Sequence, residues 1–314
     1  MSHSGSTDIN ATTRICAVFG SPIRHSASPA MHNAAFAELE LNWRYLAYEV
    51  LPENLREAIE GAKAMRFAGL NLTVPHKLLA YNMVDALDES AKFWGAVNTI
   101  RFEGRRPGGE WLPLRAFDND FPADIRSHGF NTDAEGLVTS LEQDLGVTLA
   151  GARVLLLGAG GAGRTAALKL AECGVAELHL VNRTHNKAEE LLSVIKSAFK
   201  VKTHQPLVHV SLGYPKTEVD LVVNATSLGL KPEDESPLDA NAFSLTQARA
   251  VYDMIYKPAE TKLLAAAKAA GCRTASGLGM LVWQGARAFT IWTGEENAPV
   301  ATMRRAAEQS IYAR

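Results

Sequence analysis

The stretch from Arg153 to Thr184 sets the tightest limit on what this chain can fold into. Val154 to Leu157 is an apolar run with the length of a buried strand, and it stops at Gly158. Gly158, Gly160 and Gly163 then fit G-x-G-x-x-G. An Ala-rich helical segment follows from about Arg164 to Cys173, with Gly174 where a helix stop belongs. Glu177 to Asn182 reads as the next strand. Strand, Gly-rich turn, helix and strand, in that order, form the context a dinucleotide fingerprint requires.

In such a turn one glycine makes the tight bend, one lets the backbone approach a pyrophosphate, and one lets the helix pack closely on the strand. Gly158, Ala159, Gly160, Gly161, Ala162 and Gly163, at the positive end of the following helix, are therefore the expected anion cradle. The end of the second strand selects the cofactor. An NAD site usually carries Asp or Glu there for the ribose 2′-hydroxyl, whereas a basic residue suits the extra phosphate of NADP. This chain has Asn182, Arg183, Thr184 and, one short turn on, Lys187, with no acid at that spot. Arg183 can grip a phosphate, Lys187 adds a point charge, and Asn182 and Thr184 can donate hydrogen bonds. A plain polar turn with Thr184 as N-cap is the alternative; the set favours NADP.

At 314 residues, 47% of them hydrophobic, the chain suits two domains with real cores. A formal net charge of −2 without any basic run argues against a nucleic-acid partner. Cys16, Cys173 and Cys272 are far apart and form no C-x-x-C, so no disulfide scaffold and no metal site is expected, and a reducing cytoplasm is. No apolar run reaches membrane-spanning length. Residues 1–13 are polar, lack the apolar core of a signal peptide, and read as a disordered tail.

Before the dinucleotide stretch, strands and helices alternate. Strands are expected at Ile15–Phe19, Trp43–Val50, Ala68–Thr73 and Ala96–Phe102, with helices opened by Ser28-Pro29, Pro52 and Pro75. This predicts a first α/β part with a largely parallel sheet. Arg105 to Phe130 is irregular, rich in Gly and Pro, and is expected to hold a hairpin or flap around Trp111 to Phe117. A helix from Asp133 to Leu145 leads into the dinucleotide half, whose later strands are expected at Leu207–Ser211, Asp220–Ala225 and Ala250–Ile255. A helix over Glu260–Ala270 follows. Two last helices, Leu278–Trp292 and Val300–Tyr312, lie beyond that half and can fold back onto the first part.

Polar clusters fall at strand ends, where open α/β sheets place ligands. Ser26 and Ser28 flank a helix start, where capping explains Ser28 as well as anion binding does. In Asn71 to Lys77, Thr73 and Lys77 stand four apart across a strand-to-helix corner and can face one cleft. Lys77 alone reads more simply as a surface lysine, and His76 as structural. Asn98-Thr99 and Asn131-Thr132-Asp133 follow; Asp133 is either an N-cap or a partner that orients Lys77. Asn224 to Gly229 is a polar loop after a dinucleotide-half strand, and Gln284 lies near the start of a helix. P-loop, HExxH and GxSxG motifs are absent.

In this order the clusters resemble the shikimate dehydrogenase family over nearly the whole chain after residue 13. The resemblance rests on Gly20 to Asn33, Asn71 to Lys77, Gly95 to Thr99, Asn131 to Asp133, Gly158 to Arg164, Asn182 to Thr184, Asn224 to Gly229, Tyr252 to Tyr256 and Gly279 to Gly285. It implies two α/β domains with a cleft between them. Residues 14–132 plus 276–314 would be the substrate-binding domain, its sheet mostly parallel, and residues 133–275 a Rossmann NADP-binding domain. It implies an NADP-dependent oxidoreductase that reversibly reduces 3-dehydroshikimate to shikimate, on the route to chorismate and the aromatic amino acids. Ser26 and Ser28 would bind the substrate carboxylate. Thr73, Asn98 and Gln284 would bind hydroxyl or carboxylate groups, with Tyr256 nearby. Lys77 and Asp133 would be the catalytic pair, also touching substrate. Thr226, Met254 and Gly277 would join the cofactor site. The expected partners are a small-molecule substrate and at most a second copy of the chain, as monomer or homodimer, with no nucleic acid and no membrane.

The segment 105–130 is longer than that pattern leads one to expect and reads as an insertion. It leaves two alternatives open. One is a quinate/shikimate enzyme with relaxed cofactor use. The other is a non-catalytic sensor that binds a dinucleotide and signals through the insertion.

Overall fold

The structure, a computed structural model, describes residues 9–117, 121–199 and 208–313. The chain divides into two compact units. One comprises the residues up to Asp133 with those from Gln284 onward; the other is Ala134–Trp283.

The first unit opens with β1 (Arg14–Gly20), α1 (Ser28–Glu38), β2 (Trp43–Glu49), α2 (Leu55–Ala64), β3 (Gly69–Leu72) and α3 (His76–Leu79). It continues with β4 (Ala86–Leu87), α4 (Glu89–Trp94), β5 (Thr99–Arg105), β6 (Trp111–Pro113) and β7 (Ile125–Phe130). Its sheet runs β2-β1-β3-β5-β7-β4, with β6 added to β5. Strands β1, β2 and β3 pair in parallel, as do β4 and β7. Strand β5 is the exception and runs antiparallel to β3, β6 and β7. Apolar residues of β1, β3 and β5 (Phe19, Leu70, Leu72, Ile100, Phe102) bury against Leu55 and Ile59 of α2. Full burial of each such side chain stabilises the unit by roughly 1.5–3 kcal/mol.

Several sequence expectations change here. Of the supposed disordered tail, residues 1–8 lie outside the described residues. Asn10–Thr13 instead forms a turn on Asn42, whose Nδ2 donates to Asn10 Oδ1 and Thr12 Oγ1 at 3.1 Å each. Ser28 is not the N-cap of α1. Ala27 takes that place, and Ser28 is the first helical residue, its N–H donating to Ser26 Oγ at 3.3 Å. Strand β5 starts at Thr99, not Ala96, because the Val97 N–H turns away to Lys77 O at 2.8 Å.

Ile125–Phe130, read as irregular, is a full sheet strand. Its most buried residues are Ser127 and Gly129, so no apolar alternation announced it. The Val97 side chain fills the space beside Gly129. Arg126 and His128 instead tie the strand to the buried carboxylate of Glu103 on β5. Any extra segment is thus confined to the connection between β5 and β7. That connection holds the expected hairpin, closed where the Arg106 N–H donates to Glu110 O at 2.8 Å.

Helix α5 (Asp133–Gln143) leads into β8 (Arg153–Leu157), α6 (Gly161–Glu172), β9 (Glu177–Val181), α7 (His185–Phe199) and β10 (His209–Leu212). Then come β11 (Val219–Asn224), β12 (Ala248–Asp253), α8 (Lys262–Ala269), β13 (Arg273–Ser276), α9 (Leu278–Thr293) and α10 (Val300–Tyr312). The second sheet is parallel throughout, in the order β10-β9-β8-β11-β12-β13. Counted from β8, that is 3-2-1-4-5-6, the dinucleotide-binding order with its reversal between β8 and β11. Leu155, Val222 and Val251 of its centre pack against Leu263 and Leu264 of α8. Helix α6 starts at Gly161, earlier than expected, with Gly160 as its N-cap and Gly163 in its first turn.

Candidate active site

In the first unit, the ends of β3 and β7 lie beside the start of β5, and each strand places one polar residue there. Lys77 follows β3 on α3, Asn98 precedes β5, and Asp133 follows β7 as the first residue of α5. Lys77 Nζ donates to Asp133 Oδ2 at 2.7 Å. Asn98 Nδ2 donates to the other carboxylate oxygen, Oδ1, at 2.9 Å and to Thr132 Oγ1 at 3.0 Å. Gln284 Oε1, from α9, lies 3.5 Å from both Asn98 Nδ2 and Thr132 Oγ1. Asn98 Oδ1 accepts from the Thr132 N–H at 2.8 Å and from Thr99 Oγ1 at 3.1 Å. Asn98 is buried, and donors on one side with acceptors on the other allow its amide a single orientation. The Asp133 N–H donates to Asn131 Oδ1 at 3.1 Å, which fixes the first turn of α5.

Lys77, Asn98, Asp133 and Gln284 thus form one hydrogen-bonded group. Thr73 is half-buried just past β3, its N–H donating to Phe19 O at 3.0 Å and its carbonyl accepting from His76. Ser26 is half-buried and serves α1 as described; Ser28 is buried. Sequence reasoning gave no role of their own to Thr132, Thr99, Asn71 and Tyr45. The first three sit inside quoted motifs, and Tyr45 carries no motif at all.

In the second unit, Gly158 has φ +105°, and a Cβ there would come within 3.0 Å of Thr226 and Ala225. A Cβ on Gly163 would stand 2.1 Å from Gly158 O, so the helix start closes directly on the strand end. Gly160 and Gly161 face open space, with nothing within 4 Å of a Cβ. Backbone N–H groups at an uncovered helix start, with no side chain in the way, fit a dinucleotide pyrophosphate. Asn182 Oδ1 accepts from the Ala159 N–H at 3.0 Å, and its Nδ2 donates to Thr184 O at 2.8 Å. Asn182 therefore staples the glycine turn to the next loop. Arg183, Thr184 and Lys187 are exposed beside it.

Thr226 Oγ1 donates to Asn224 Oδ1 at 2.8 Å and accepts from the Leu228 N–H, which shapes the loop after β11. Gly277 lies against the Met254 carbonyl, which a Cβ would approach to 2.0 Å. Tyr256, just past β12, is half-buried, and burial raises its phenol. Among the described residues no group of three His, Cys, Asp or Glu could hold a metal, and no helix is long and apolar enough to cross a membrane.

Residues 18–100 match the shikimate dehydrogenase substrate binding domain. Residues 140–228 match shikimate / quinate 5-dehydrogenase, and residues 277–308 the shikimate 5′-dehydrogenase C-terminal domain. The shikimate dehydrogenase (NADP(+)) of Methanopyrus kandleri is 39% identical over 308 residues, 96% of this chain and 97% of that protein. The chain belongs to the shikimate dehydrogenase family. A shikimate dehydrogenase crystallised with NADP+ superimposes with a TM-score of 0.79 at 36% identity, covering 97% of this chain and 98% of its own. A ligand-free 5-ketofructose reductase of Gluconobacter sp. strain CHM43 follows at TM-score 0.77 and 32% identity, covering 96% and 99%. Shikimate dehydrogenases therefore share this fold with a reductase of another name, and the side chains of the site carry the choice of substrate.

Proposed function

We propose that this protein is an NADP-dependent shikimate dehydrogenase, reversibly reducing 3-dehydroshikimate to shikimate on the way to chorismate and the aromatic amino acids. The observation that carries the reading is the Lys77–Asp133 pair, locked by Asn98 and flanked by Gln284. Bound NADPH supplies the hydride. The ketone oxygen then needs a proton, and the Lys77 ammonium stabilises its developing charge and donates that proton. In the oxidative direction neutral Lys77 takes the proton back. Asp133 holds the ammonium in place, and Asn98 holds Asp133. Ser26 and Ser28 take the substrate carboxylate; Thr73, Asn98, Gln284 and Tyr256 take hydroxyl or carboxylate oxygens.

Gly158 to Gly163 would hold the pyrophosphate, and Arg183 with Asn182, Thr184 and Lys187 the 2′-phosphate end of the cofactor. Thr226, Met254 and Gly277 would line the nicotinamide side. Residues 14–132 with 276–314 would serve the substrate and residues 133–275 the cofactor, in the cytoplasm, with the chain as monomer or homodimer. The test is the initial rate of reduced-cofactor formation over a grid of shikimate or quinate with NADP or NAD. Turnover confined to shikimate with NADP is the expected result. Turnover with quinate or NAD reassigns the specificity, and silence in all four combinations overturns the reading.

A further inference from the structure

Strands β11 and β12 end side by side on Asn224 and Asp253, which are register partners and both 0% exposed. Among the described residues no Lys, Arg or His pairs with the Asp253 carboxylate. Three uncharged donors converge on it instead. Asn224 Nδ2 donates to Oδ1 at 2.9 Å, the Ile255 N–H donates to the same oxygen at 3.1 Å, and Thr261 Oγ1 donates to Oδ2 at 2.7 Å. These bonds do not make up for the loss of water, and burial raises the pKa of the carboxyl. A neutral acceptor in its place would cost the fold less.

Two of the three donors lead to residues proposed to face the nicotinamide. Asn224 Oδ1 accepts from the Thr226 N–H at 2.9 Å and from Thr226 Oγ1 at 2.8 Å. Ile255 directly follows Met254, whose own N–H donates to Asn224 O at 2.9 Å. The Ile255 carbonyl accepts from the Gly277 N–H at 3.1 Å. The third donor, Thr261, caps α8 by accepting from the Leu264 N–H at 3.3 Å. Thr226 and Gly277 thus reach Asp253 through one intervening residue each, and Met254 adjoins it. An acceptor facing Asn224 Nδ2 leaves that amide a single orientation, with its own oxygen toward Thr226.

We infer that Asp253 is a positioning residue for the cofactor: its Oδ1 turns the Asn224 amide toward Thr226 and fixes the Met254 turn, so that the residues beside the nicotinamide are set before it binds. The role requires an acceptor toward Asn224, not a charge. An Asn side chain can keep its oxygen there and aim its NH2 at Thr261 Oγ1. The inference rests on the proposed reaction, in which Thr226, Met254 and Gly277 line the nicotinamide side.

The experiment compares wild type, Asp253→Ala and Asp253→Asn as purified full chains. Steady-state rates are taken at varied NADP with saturating shikimate. Calorimetry measures binding of adenosine 2′,5′-bisphosphate, which carries the adenosine half of the cofactor but no nicotinamide. Asp253→Ala should lower kcat/KM for NADP by about 10–100-fold, the usual consequence of a misplaced reacting group. Its affinity for the bisphosphate should stay within about twofold of wild type, since Asn182, which fixes the loop of Arg183, shares no partner with Asp253. Asp253→Asn should recover most of the lost rate. A purely structural aspartate would lose turnover and bisphosphate binding together with thermal stability. Such a joint loss, an unchanged kcat/KM in Asp253→Ala, or an Asn variant no better than the Ala variant overturns the inference. If Asp253→Ala does not fold, Asn224→Ala, which cuts the same line one residue further on, carries the comparison between turnover and bisphosphate binding. Absence of turnover in the wild type overturns the proposed function and this inference together. Wild-type turnover with any of the failures above overturns the role of Asp253 alone.

Discussion

Lys77 Nζ lies 2.7 Å from Asp133 Oδ2 although fifty-six residues separate them in the chain. The contact joins the start of α3 to the start of α5, and neither helix end can move without breaking it. With its second carboxylate oxygen already bonded to Asn98, Asp133 holds the lysine in one place. Replacing Lys77 by Ala should therefore reduce kcat by roughly 10²–10⁴-fold, the usual worth of a positioned proton donor. Asp133→Asn should fall in the same range. Steady-state rates with shikimate and NADP check both, and unchanged turnover in Lys77→Ala would remove it from the mechanism.

Arg183 stands exposed at the end of β9, next to the staple made by Asn182. Arg183→Ala should raise KM for NADP by about 10–100-fold, as expected for a lost charged contact to phosphate. KM for NAD should hardly change. Equal effects on the two cofactors would count against a 2′-phosphate contact.

Two glycines of the fingerprint should fail in different ways. A Cβ on Gly163 would meet Gly158 O at 2.1 Å, whereas one on Gly161 meets nothing within 4 Å. Gly163→Ala should thus destabilise the free protein by about 1–3 kcal/mol, a typical overpacking cost. Gly161→Ala should leave thermal stability intact and weaken only dinucleotide binding. Melting curves with and without NADP separate the two, and equal melting losses would contradict the geometry.

Glu103 predicts an acid-sensitive contribution to stability. Burial opposes its charge, yet the hydrogen bonds from His128, Arg101 and Arg126 and the Arg101 charge lower its pKa from 4.5 to about 2. A carboxyl with a lowered folded-state pKa stabilises the fold above its unfolded value and loses that contribution as pH falls through the folded value. Glu103→Gln should therefore be less stable than wild type at neutral pH, with the gap narrowing between about 4.5 and about 2. Urea midpoints across that range check it; a gap independent of pH would mean the carboxylate charge is not what holds β5 to β7.

The dinucleotide half was largely legible in the sequence. Its central strands β8, β11 and β12 are largely apolar runs buried on both faces, and its turn needs glycines for steric reasons that show in the letters themselves. Strand β7 was not legible, because Ser127 and Gly129 form its buried face and an ion cluster secures it. The short β4 and α4 were missed too; two strand residues carry no period, and α4 is marked only at its ends, by Asp88, which accepts the Ala91 N–H at 3.1 Å, and by Gly95. At the site, motif residues such as Lys77 and Asn98 could be named in advance. The Tyr45–Asn71 bond beneath it could not, since it reaches across twenty-six residues of chain, a contact that only folding creates.

The fixed setting of Asn98 makes its amide nitrogen, and not merely its shape, what Asp133 requires. Hydrolysis of that one amide to an acid would replace the donor that now faces Asp133 Oδ1 at 2.9 Å with a second carboxyl oxygen. Two carboxylates at that separation cannot both ionise, so the pair would retain a proton. The clamp on Lys77 would become a second titrating centre without a single atom of the backbone having moved.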